Sequence, residues 1–171
     1  PKNDTFKLLP KLKEEIKKAN RIACPGCYPT SIALPLAPLL KAGLISHENI
    51  ICSSMSGVSG AGRTVALPFI YPECNESVRP YAVTGHRHLP EIEQELAEAA
   101  GVDDVKINFI PHLVPVTRGI HSTIIAKPKS GVTEDQLRKV WNDYYADAPF
   151  VRVLAAGRLA DTKNVTLTNV C

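Results

Sequence analysis

The sequence has no large excess of charge of either sign and no apolar run of membrane length. Its 171 residues include 20 basic and 17 acidic side chains, a formal net charge of +3. That balance does not indicate a nucleic acid or another polyanion as a partner. The longest apolar run, residues 32–40, contains two prolines and is too short to cross a bilayer. We therefore expect a globular protein that binds neither nucleic acid nor a membrane.

The sequence also lacks a cysteine framework. Five cysteines are an odd number with irregular spacing, which argues against a set of structural disulfides. Cys24 and Cys27 form a Cys-x-x-Cys pair, but there is no second close pair to complete a four-ligand zinc site, so no metal is expected. Residues 1–20 are charged and have a helical pattern, unlike a signal peptide. A reducing, cytoplasmic location is the expectation.

The order of the apolar and turn patterns predicts an α+β fold. The predicted helices cover residues 10–19, 28–42, 89–100 and 133–146, the third closed by Gly101 and the last opened by a capping box at Thr133 and Gln136. The predicted strands cover residues 22–24, 49–56, 105–110, 121–127, 150–154 and 165–171, with loops at 56–63 and mainly loop at 65–84. Helices and strands do not alternate strictly. We expect a mixed, mostly antiparallel sheet with helices on one face, forming one domain over residues 1–171.

Cys27 is the residue that most strongly indicates chemistry. It stands between a short apolar stretch and a predicted helix, where free backbone N–H groups and the positive end of the helix dipole favour a thiolate. A thiolate is a nucleophile, so covalent catalysis is one interpretation. A redox pair with Cys24 and two buried cysteines in a turn are the alternatives that the residues leave open.

Three further runs contain residues that suit a catalytic site. His86-Arg-His88-Leu-Pro-Glu91 opens a helix and combines a possible proton shuttle, His86, with an acid that could orient it; this dense polar cluster after an irregular loop favours function over the alternative, a solvated helix start. The small-residue loop over residues 56–63 allows close approach to a ligand or forms an ordinary turn. Arg118 follows two prolines and suits a carboxylate or phosphate, or lies on the surface.

Together these runs resemble the N-acetyl-gamma-glutamyl-phosphate reductase family, the arginine-biosynthesis members of the semialdehyde dehydrogenase group. The stretches are Pro-Gly-Cys27-Tyr-Pro-Thr, Ser56-Gly-Val-Ser-Gly-Ala-Gly-Arg63, His86-Arg-His88-Leu-Pro-Glu91 and Pro111-His-Leu-Val-Pro-Val-Thr-Arg118-Gly. They lie in the order of the family and span most of the chain. The resemblance implies the fold of a glyceraldehyde-3-phosphate dehydrogenase-like C-terminal domain.

The resemblance also implies a reaction and a set of roles. N-acetyl-glutamyl 5-phosphate is reduced by NADPH to N-acetyl-glutamate 5-semialdehyde, with release of phosphate. Cys27 is then the nucleophile that forms a thioester, His86 the acid or base at the thiohemiacetal oxygen, and Glu91 an orienting residue. Cofactor contacts are implied for Ser56, Gly57 and Gly60, and substrate contacts for Arg63, His88 and Arg118.

The family's Rossmann NADP-binding domain precedes the cysteine motif, and nothing in this sequence resembles it. We therefore expect the isolated catalytic and dimerisation domain, a fragment with little or no reductase activity, that forms a homodimer or homotetramer. Two other hypotheses about the function stay open. One is a sister enzyme acting on the acyl phosphate of the lysine or aspartate pathway, and the other is an inactive oligomerisation fragment.

Overall fold

The computed structural model describes residues 16–22, 24–165 and 168–171, and it shows one layer of helices on one sheet. The helices are α1 (Cys27–Lys41), α2 (Tyr71–Cys74), α3 (Leu89–Ala100) and α4 (Glu134–Tyr144). The strands are β1 (Ile50–Ser56), β2 (Arg79–Pro80), β3 (Ile107–Leu113) and β4 (Ile120–Ile125). Short 3-10 turns cover Val58–Ala61, Leu67–Phe69 and Thr162–Asn164.

The four strands form a mixed sheet in the order β2-β3-β1-β4. β1 is parallel to β3, whereas β1 with β4 and β2 with β3 are antiparallel. At the centre of the sheet Ser54 lies opposite Pro111 on one side and Ser122 on the other. The predicted α+β class is confirmed: the sheet is mixed, two of its three pairings are antiparallel, and the helices lie on one face.

Burial alternates along β1 because only one face of the sheet is covered. Ile50, Cys52 and Ser54 are fully buried, while Ile51 and Met55 on the opposite face are exposed. The covered face packs against α1 and α3 in one core, to which α4 adds partly buried side chains. The helical members of this core are Tyr28, Ile32, Leu36, Leu39, Leu40, Ile92, Leu96 and Ala97. Among the described residues no helix is long and apolar enough to cross a membrane.

Helix α1 is continuous although it contains Pro35 and Pro38. Pro38 has no N–H, so the carbonyl of Leu34 lacks its usual helical donor. The Tyr145 hydroxyl donates to that carbonyl at 2.6 Å, and Trp141 Nε1 donates to the Pro35 carbonyl at 2.8 Å. Side chains at the end of α4 thus supply hydrogen bonds along the proline-containing part of α1.

The predicted ends of the two later helices are confirmed. Gly101 follows α3 in the left-handed conformation, with φ 68°, which a glycine adopts at little cost. At the start of α4 the Thr133 side chain accepts from the Gln136 N–H, and Gln136 Oε1 accepts from the Thr133 N–H, which is the predicted capping box.

Three predicted strands are wrong. Ile22 and Cys24 have no regular structure, residue 23 lying outside the described part, because no strand pairs with this short stretch. Residues 150–154 and 168–171 form no strand either, Val165 lies in a turn, and residues 166 and 167 lie outside the described part. Among the described residues, two backbone bonds join the two segments, from Cys171 N to Phe150 O (2.7 Å) and from Arg152 N to Cys171 O (2.8 Å), too few for a ladder.

The other predicted elements differ mainly at their ends. The strands predicted at 49–56, 105–110 and 121–127 correspond to β1, β3 and β4. The predicted loop at 65–84 also contains α2 and β2. The helix predicted at 10–19 falls mostly outside the described residues; of its described part, residues 16–19, the first three are helical.

Candidate active site

Cys27 is the first residue of α1, directly after Gly26. Gly26 has extended backbone angles and no side chain to cap the helix, so the first-turn N–H groups are not satisfied by a cap residue of their own. The thiol lies at the positive end of the helix dipole, and the residue is exposed. This confirms the predicted position of Cys27 at a helix start, while the strand predicted before it is absent.

Glu91 holds the start of α1 from the first turn of α3. Its Oε1 accepts a hydrogen bond from the Gly26 N–H at 2.9 Å, between residues 65 positions apart. A Cβ at position 26 would lie 2.8 Å from His88 Nε2 and 3.0 Å from Glu91 Oε2. Glycine is therefore required for this close packing, and Glu91 acts on the helix that carries Cys27. Within the described residues, no hydrogen bond joins Glu91 to His86.

His86 is 8% exposed, and its ring is surrounded by other aromatic rings. Its ring centroid is 5.0–5.6 Å from those of Tyr28, Tyr81, His88 and Phe109, all in edge-on geometry. Burial lowers the pKa of His86, and the charges of His88 and Arg87 lower it further. The ring is therefore neutral at pH 7.

The hydrogen bond at Nδ1 fixes the tautomer of this neutral ring. The backbone N–H of His88 donates to His86 Nδ1 at 3.1 Å. Nδ1 must then be the acceptor nitrogen, so the ring carries its proton on Nε2. The pKa of His88 is also lowered, mainly by burial, against the opposing charge of Glu91. Both imidazoles are thus uncharged near neutral pH.

A cavity of about 330 Å³ brings most of the predicted residues together. That volume lies at the small end of the range for small-molecule sites. Arg63 and Arg118 are exposed and do not line it, and neither does Glu91. The cavity is lined by Cys27, Tyr28, Ser56, Gly57, Gly60, Ala61, Phe69, Tyr81, Ala82, Gly85, His86, Arg87, His88 and Leu113.

The loop after β1 forms one wall of the cavity, and other backbone groups hold it in place. The N–H groups of Gly57, Val58 and Ser59 donate to the carbonyls of residues 119, 116 and 117, each at 3.0 Å. A Cβ on Gly57 would lie 2.8 Å from the Val116 carbonyl oxygen, so this glycine serves internal packing. These three N–H groups are not available to an anion, and the wall contributes a surface with few side chains.

Two tyrosines complete the cavity on the side of His86. The hydroxyls of Tyr28 and Tyr81 are 2.8 Å apart. Burial raises the pKa of both phenols, so both stay protonated over the physiological range. The site therefore contains hydroxyl groups that can donate or accept hydrogen bonds.

A row of serines ties the first turn of α1 to the sheet. Ser31 Oγ donates to the Tyr28 carbonyl at 3.0 Å and lies 2.8 Å from Ser122 Oγ, which is 2.7 Å from Ser54 Oγ. Because the Ser31 hydroxyl donates its hydrogen to the Tyr28 carbonyl, it must accept a hydrogen bond from Ser122. Ser122 in turn accepts from Ser54. The direction of the whole row is fixed by one backbone carbonyl.

Comparison with protein families identifies the domain. The family described as "Semialdehyde dehydrogenase, dimerisation domain" matches residues 27–171, most of the chain. The chain belongs to this family. Among curated relatives, the N-acetyl-gamma-glutamyl-phosphate reductases of Akkermansia muciniphila and Pelotomaculum thermopropionicum are each 54% identical, over 157 and 159 residues. These matches cover 92% and 93% of the chain, but 45% and 46% of the relatives. The chain thus spans about half the length of the relatives it matches.

Solved structures agree on the fold of this semialdehyde dehydrogenase domain. Aspartate semialdehyde dehydrogenase II of Vibrio cholerae superposes with a TM-score of 0.65 at 14% identity, over 90% of this chain and 50% of that one. The Francisella tularensis aspartate semialdehyde dehydrogenase gives 0.64 at 14% identity, over 94% and 56%. At this identity the likeness concerns the fold alone.

Eight residues that line the cavity of the semialdehyde dehydrogenase domain were not among the predicted site residues, and three of them, Tyr28, Tyr81 and Arg87, have polar or charged side-chain groups. Tyr28 directly follows Cys27, and Arg87 lies between the two histidines, so both belong to the segments that contain the predicted catalytic residues. Tyr81 lies in the proline-rich segment interpreted as loop, and only its place beside β2 brings it to the site. No group of three or more His, Cys, Asp or Glu that could hold a metal occurs in the described part of the chain.

Proposed function

We propose that this chain is the catalytic and dimerisation domain of an N-acetyl-gamma-glutamyl-phosphate reductase. Such an enzyme converts N-acetyl-glutamyl 5-phosphate to N-acetyl-glutamate 5-semialdehyde and phosphate in arginine biosynthesis. The observation that carries the proposal is that Cys27, at the start of α1, and the buried His86 line the same cavity. The relatives at 54% identity that bear this name support the choice of substrate.

Cys27 is the nucleophile of the first step. Its sulfur attacks the acyl carbon of the substrate, the C–S bond forms, and the C–O bond to phosphate breaks with its electron pair going to phosphate. Cys27 stands at the N-terminus of α1, where the first-turn N–H groups have no side-chain cap. Gly26 and Glu91 hold that helix end in place through the hydrogen bond between them. The product on the protein is a thioester at Cys27.

His86 acts on the oxygen of the reacting carbonyl. With Nδ1 occupied by the His88 N–H, the neutral ring can donate a hydrogen bond from Nε2 to an oxygen that gains negative charge. It can take up a proton only if the bond at Nδ1 opens. His86 thereby stabilises the thiohemiacetal oxygen, and it can pass its Nε2 proton to that oxygen only after the bond at Nδ1 opens and Nδ1 takes up a proton. Collapse of the thiohemiacetal releases the semialdehyde and restores the Cys27 thiolate.

The wall formed by Ser56, Gly57 and Gly60 fits the flat nicotinamide end of NADPH, because it presents few side chains to the cavity. The volume of about 330 Å³ does not fit a whole dinucleotide. We therefore place the rest of the NADP site on a domain outside these 171 residues. What NADPH supplies is a hydride, the electron pair that takes the thioester to the aldehyde level. The Candida albicans aspartate semialdehyde dehydrogenase solved with NADP has a related fold, with a TM-score of 0.50.

The uncovered face of the sheet is the surface that we assign to a second copy of the chain. Ile51 and Ile125 pair across β1 and β4, and with Met55 they expose apolar side chains on the face away from the helices. The description of the family as a dimerisation domain supports a homodimer or homotetramer. The odd number and irregular spacing of the five cysteines support the reducing cytoplasm as the location of the protein.

The test replaces each cysteine of the Cys24–Cys27 pair by serine in the full-length natural protein. We expect Cys27→Ser to abolish NADPH oxidation with N-acetyl-glutamyl phosphate and Cys24→Ser, whose side chain is exposed and outside the cavity, to retain it. Turnover by Cys27→Ser would contradict the mechanism. Faster turnover of aspartyl phosphate or of the lysine-pathway acyl phosphate would contradict the substrate.

A further inference from the structure

The cavity contains one permanent positive charge. Of the described residues that line it, Arg87 is the only Arg or Lys, and none is an Asp or Glu. The two histidines are uncharged near neutral pH, as described above. The electrostatic character of the cavity therefore depends on a single guanidinium.

This guanidinium is not neutralised by the protein. Within the described residues Arg87 has no ion pair and no hydrogen bond, and it is exposed. Its charge nonetheless reaches the cavity groups: after burial, it contributes to the lowered pKa of His86 and of His88, and it opposes the burial that raises the pKa of the Tyr81 phenol. A positive charge without a partner, beside a nucleophile, is complementary to an anion.

The arginines predicted from the sequence lie elsewhere. Arg63 follows the 3-10 turn after β1, and Arg118 precedes β4; both are exposed and outside the cavity. The loop N–H groups that could have bound an anion are bonded to residues 116–119. Among the described lining groups, Arg87 is then the strongest candidate for an anion contact.

We propose that Arg87 binds the phosphate of the acyl phosphate and the phosphate that leaves, a role that rests on the proposed function. A guanidinium matches two phosphate oxygens with two parallel N–H groups. As the Cys27 sulfur bonds to the acyl carbon, the breaking C–O bond leaves its electrons on phosphate, which then takes a proton from water. Negative charge on phosphate therefore grows in this step, and Arg87 contributes more to the transition state than to substrate binding.

The first experiment measures kinetics in the full-length natural protein. We expect Arg87→Gln to lower kcat/KM for N-acetyl-glutamyl phosphate roughly 10- to 100-fold, the loss of one charge-assisted contact. Inhibition by inorganic phosphate should weaken at the same time, and Arg87→Lys should recover part of both effects because it keeps the charge without the planar fork. Arg158→Gln, an exposed arginine outside the cavity, is the matched control and should change neither value.

The second experiment does not depend on turnover. Iodoacetamide alkylates Cys27, and bound inorganic phosphate should slow this alkylation in the wild type and in Arg158→Gln but not in Arg87→Gln. Phosphate that fails to protect the wild type, or that protects Arg87→Gln equally well, overturns the proposal. So does protection that is lost in Arg63→Gln or Arg118→Gln and kept in Arg87→Gln. If the protein reduces a different acyl phosphate, the proposed substrate fails while protection by phosphate still tests Arg87.

Discussion

Adding one methyl group at Gly26 should disturb both the stability and the chemistry of the site. Gly26 has φ −64° and ψ 156°, angles that alanine adopts without strain. The new Cβ would nevertheless lie 2.8 Å from His88 Nε2, 2.9 Å from His88 Cε1 and 3.0 Å from Glu91 Oε2. The effect of Gly26→Ala therefore comes from crowding against these two side chains.

Two opposing contributions set the expected magnitude. Overpacking costs about 1–3 kcal/mol when neighbouring groups must move. Replacing a glycine by alanine at compatible backbone angles gains about 0.4–1 kcal/mol, because the unfolded chain loses freedom. The difference of the two ranges is a net loss of about 0–2.6 kcal/mol, which for a protein of this size corresponds to a fall in Tm of at most roughly 10 °C. If Glu91 is the group displaced, the Gly26 N–H loses its acceptor and the start of α1 loosens.

Thermal unfolding and the rate of Cys27 alkylation provide the measurement. We expect Gly26→Ala to lower Tm and to change the rate of alkylation, because the crowding displaces the residue that directly precedes Cys27 at the start of α1. Gly85→Ala is the matched control: Gly85 lines the cavity, a Cβ there would meet nothing within 4 Å, and its φ is not positive. Its Tm should stay equal or rise. Equal stability of the two variants, with unchanged alkylation of Cys27, would refute the reasoning.

Two further predictions follow from single side chains. Tyr145→Phe should lower the free energy of unfolding, measured in urea, by about 1–3 kcal/mol, because the Leu34 carbonyl loses its donor. Tyr144→Phe is the control, since the Tyr144 hydroxyl makes no described hydrogen bond, and it should change the stability little. Equal losses in the two variants would contradict the role of Tyr145. Burial lowers the pKa of His86, so the unfolded chain takes up the proton first as pH falls. This contribution to stability is present above pH 6.5 and is lost as pH falls towards the lowered folded pKa. The free energy of unfolding should then fall less steeply from pH 7.5 to 5 in His86→Asn, and an unchanged slope would count against a buried neutral ring.

Local signals in the sequence predict the helices better than the strands. Thr133 and Gln136 mark the start of α4, and Gly101 marks the end of α3, because caps are made by neighbours in the chain. The strands predicted at 150–154 and 165–171 have suitable residues, yet a strand exists only if a partner pairs along it. Here the pairing ends after the bonds around Cys171, and no local pattern reports that.

In the candidate site, too, local motifs are predictable from the sequence and long-range contacts are not. Motifs identify Cys27 and His86 as neighbours in function, and the structure places both in one cavity. Contacts between distant segments could not be predicted from spacing: Glu91 bonds to Gly26 across 65 positions and not to a histidine. The pairing of the Tyr28 and Tyr81 hydroxyls is likewise visible only in three dimensions.

The prolines of α1 make the hydrogen bonding of this helix depend on residues that are synthesised much later. The groups that donate to the Pro35 and Leu34 carbonyls, on Trp141 and Tyr145, come 106 and 111 positions later in the chain. Until translation has delivered α4 and Tyr145, the Leu34 carbonyl lacks the side-chain donor that replaces the missing N–H of Pro38. The packing of α1, which begins at Cys27, is therefore completed only at that stage. A premature stop before Trp141 should leave a chain that chaperones and proteases recognise as incomplete.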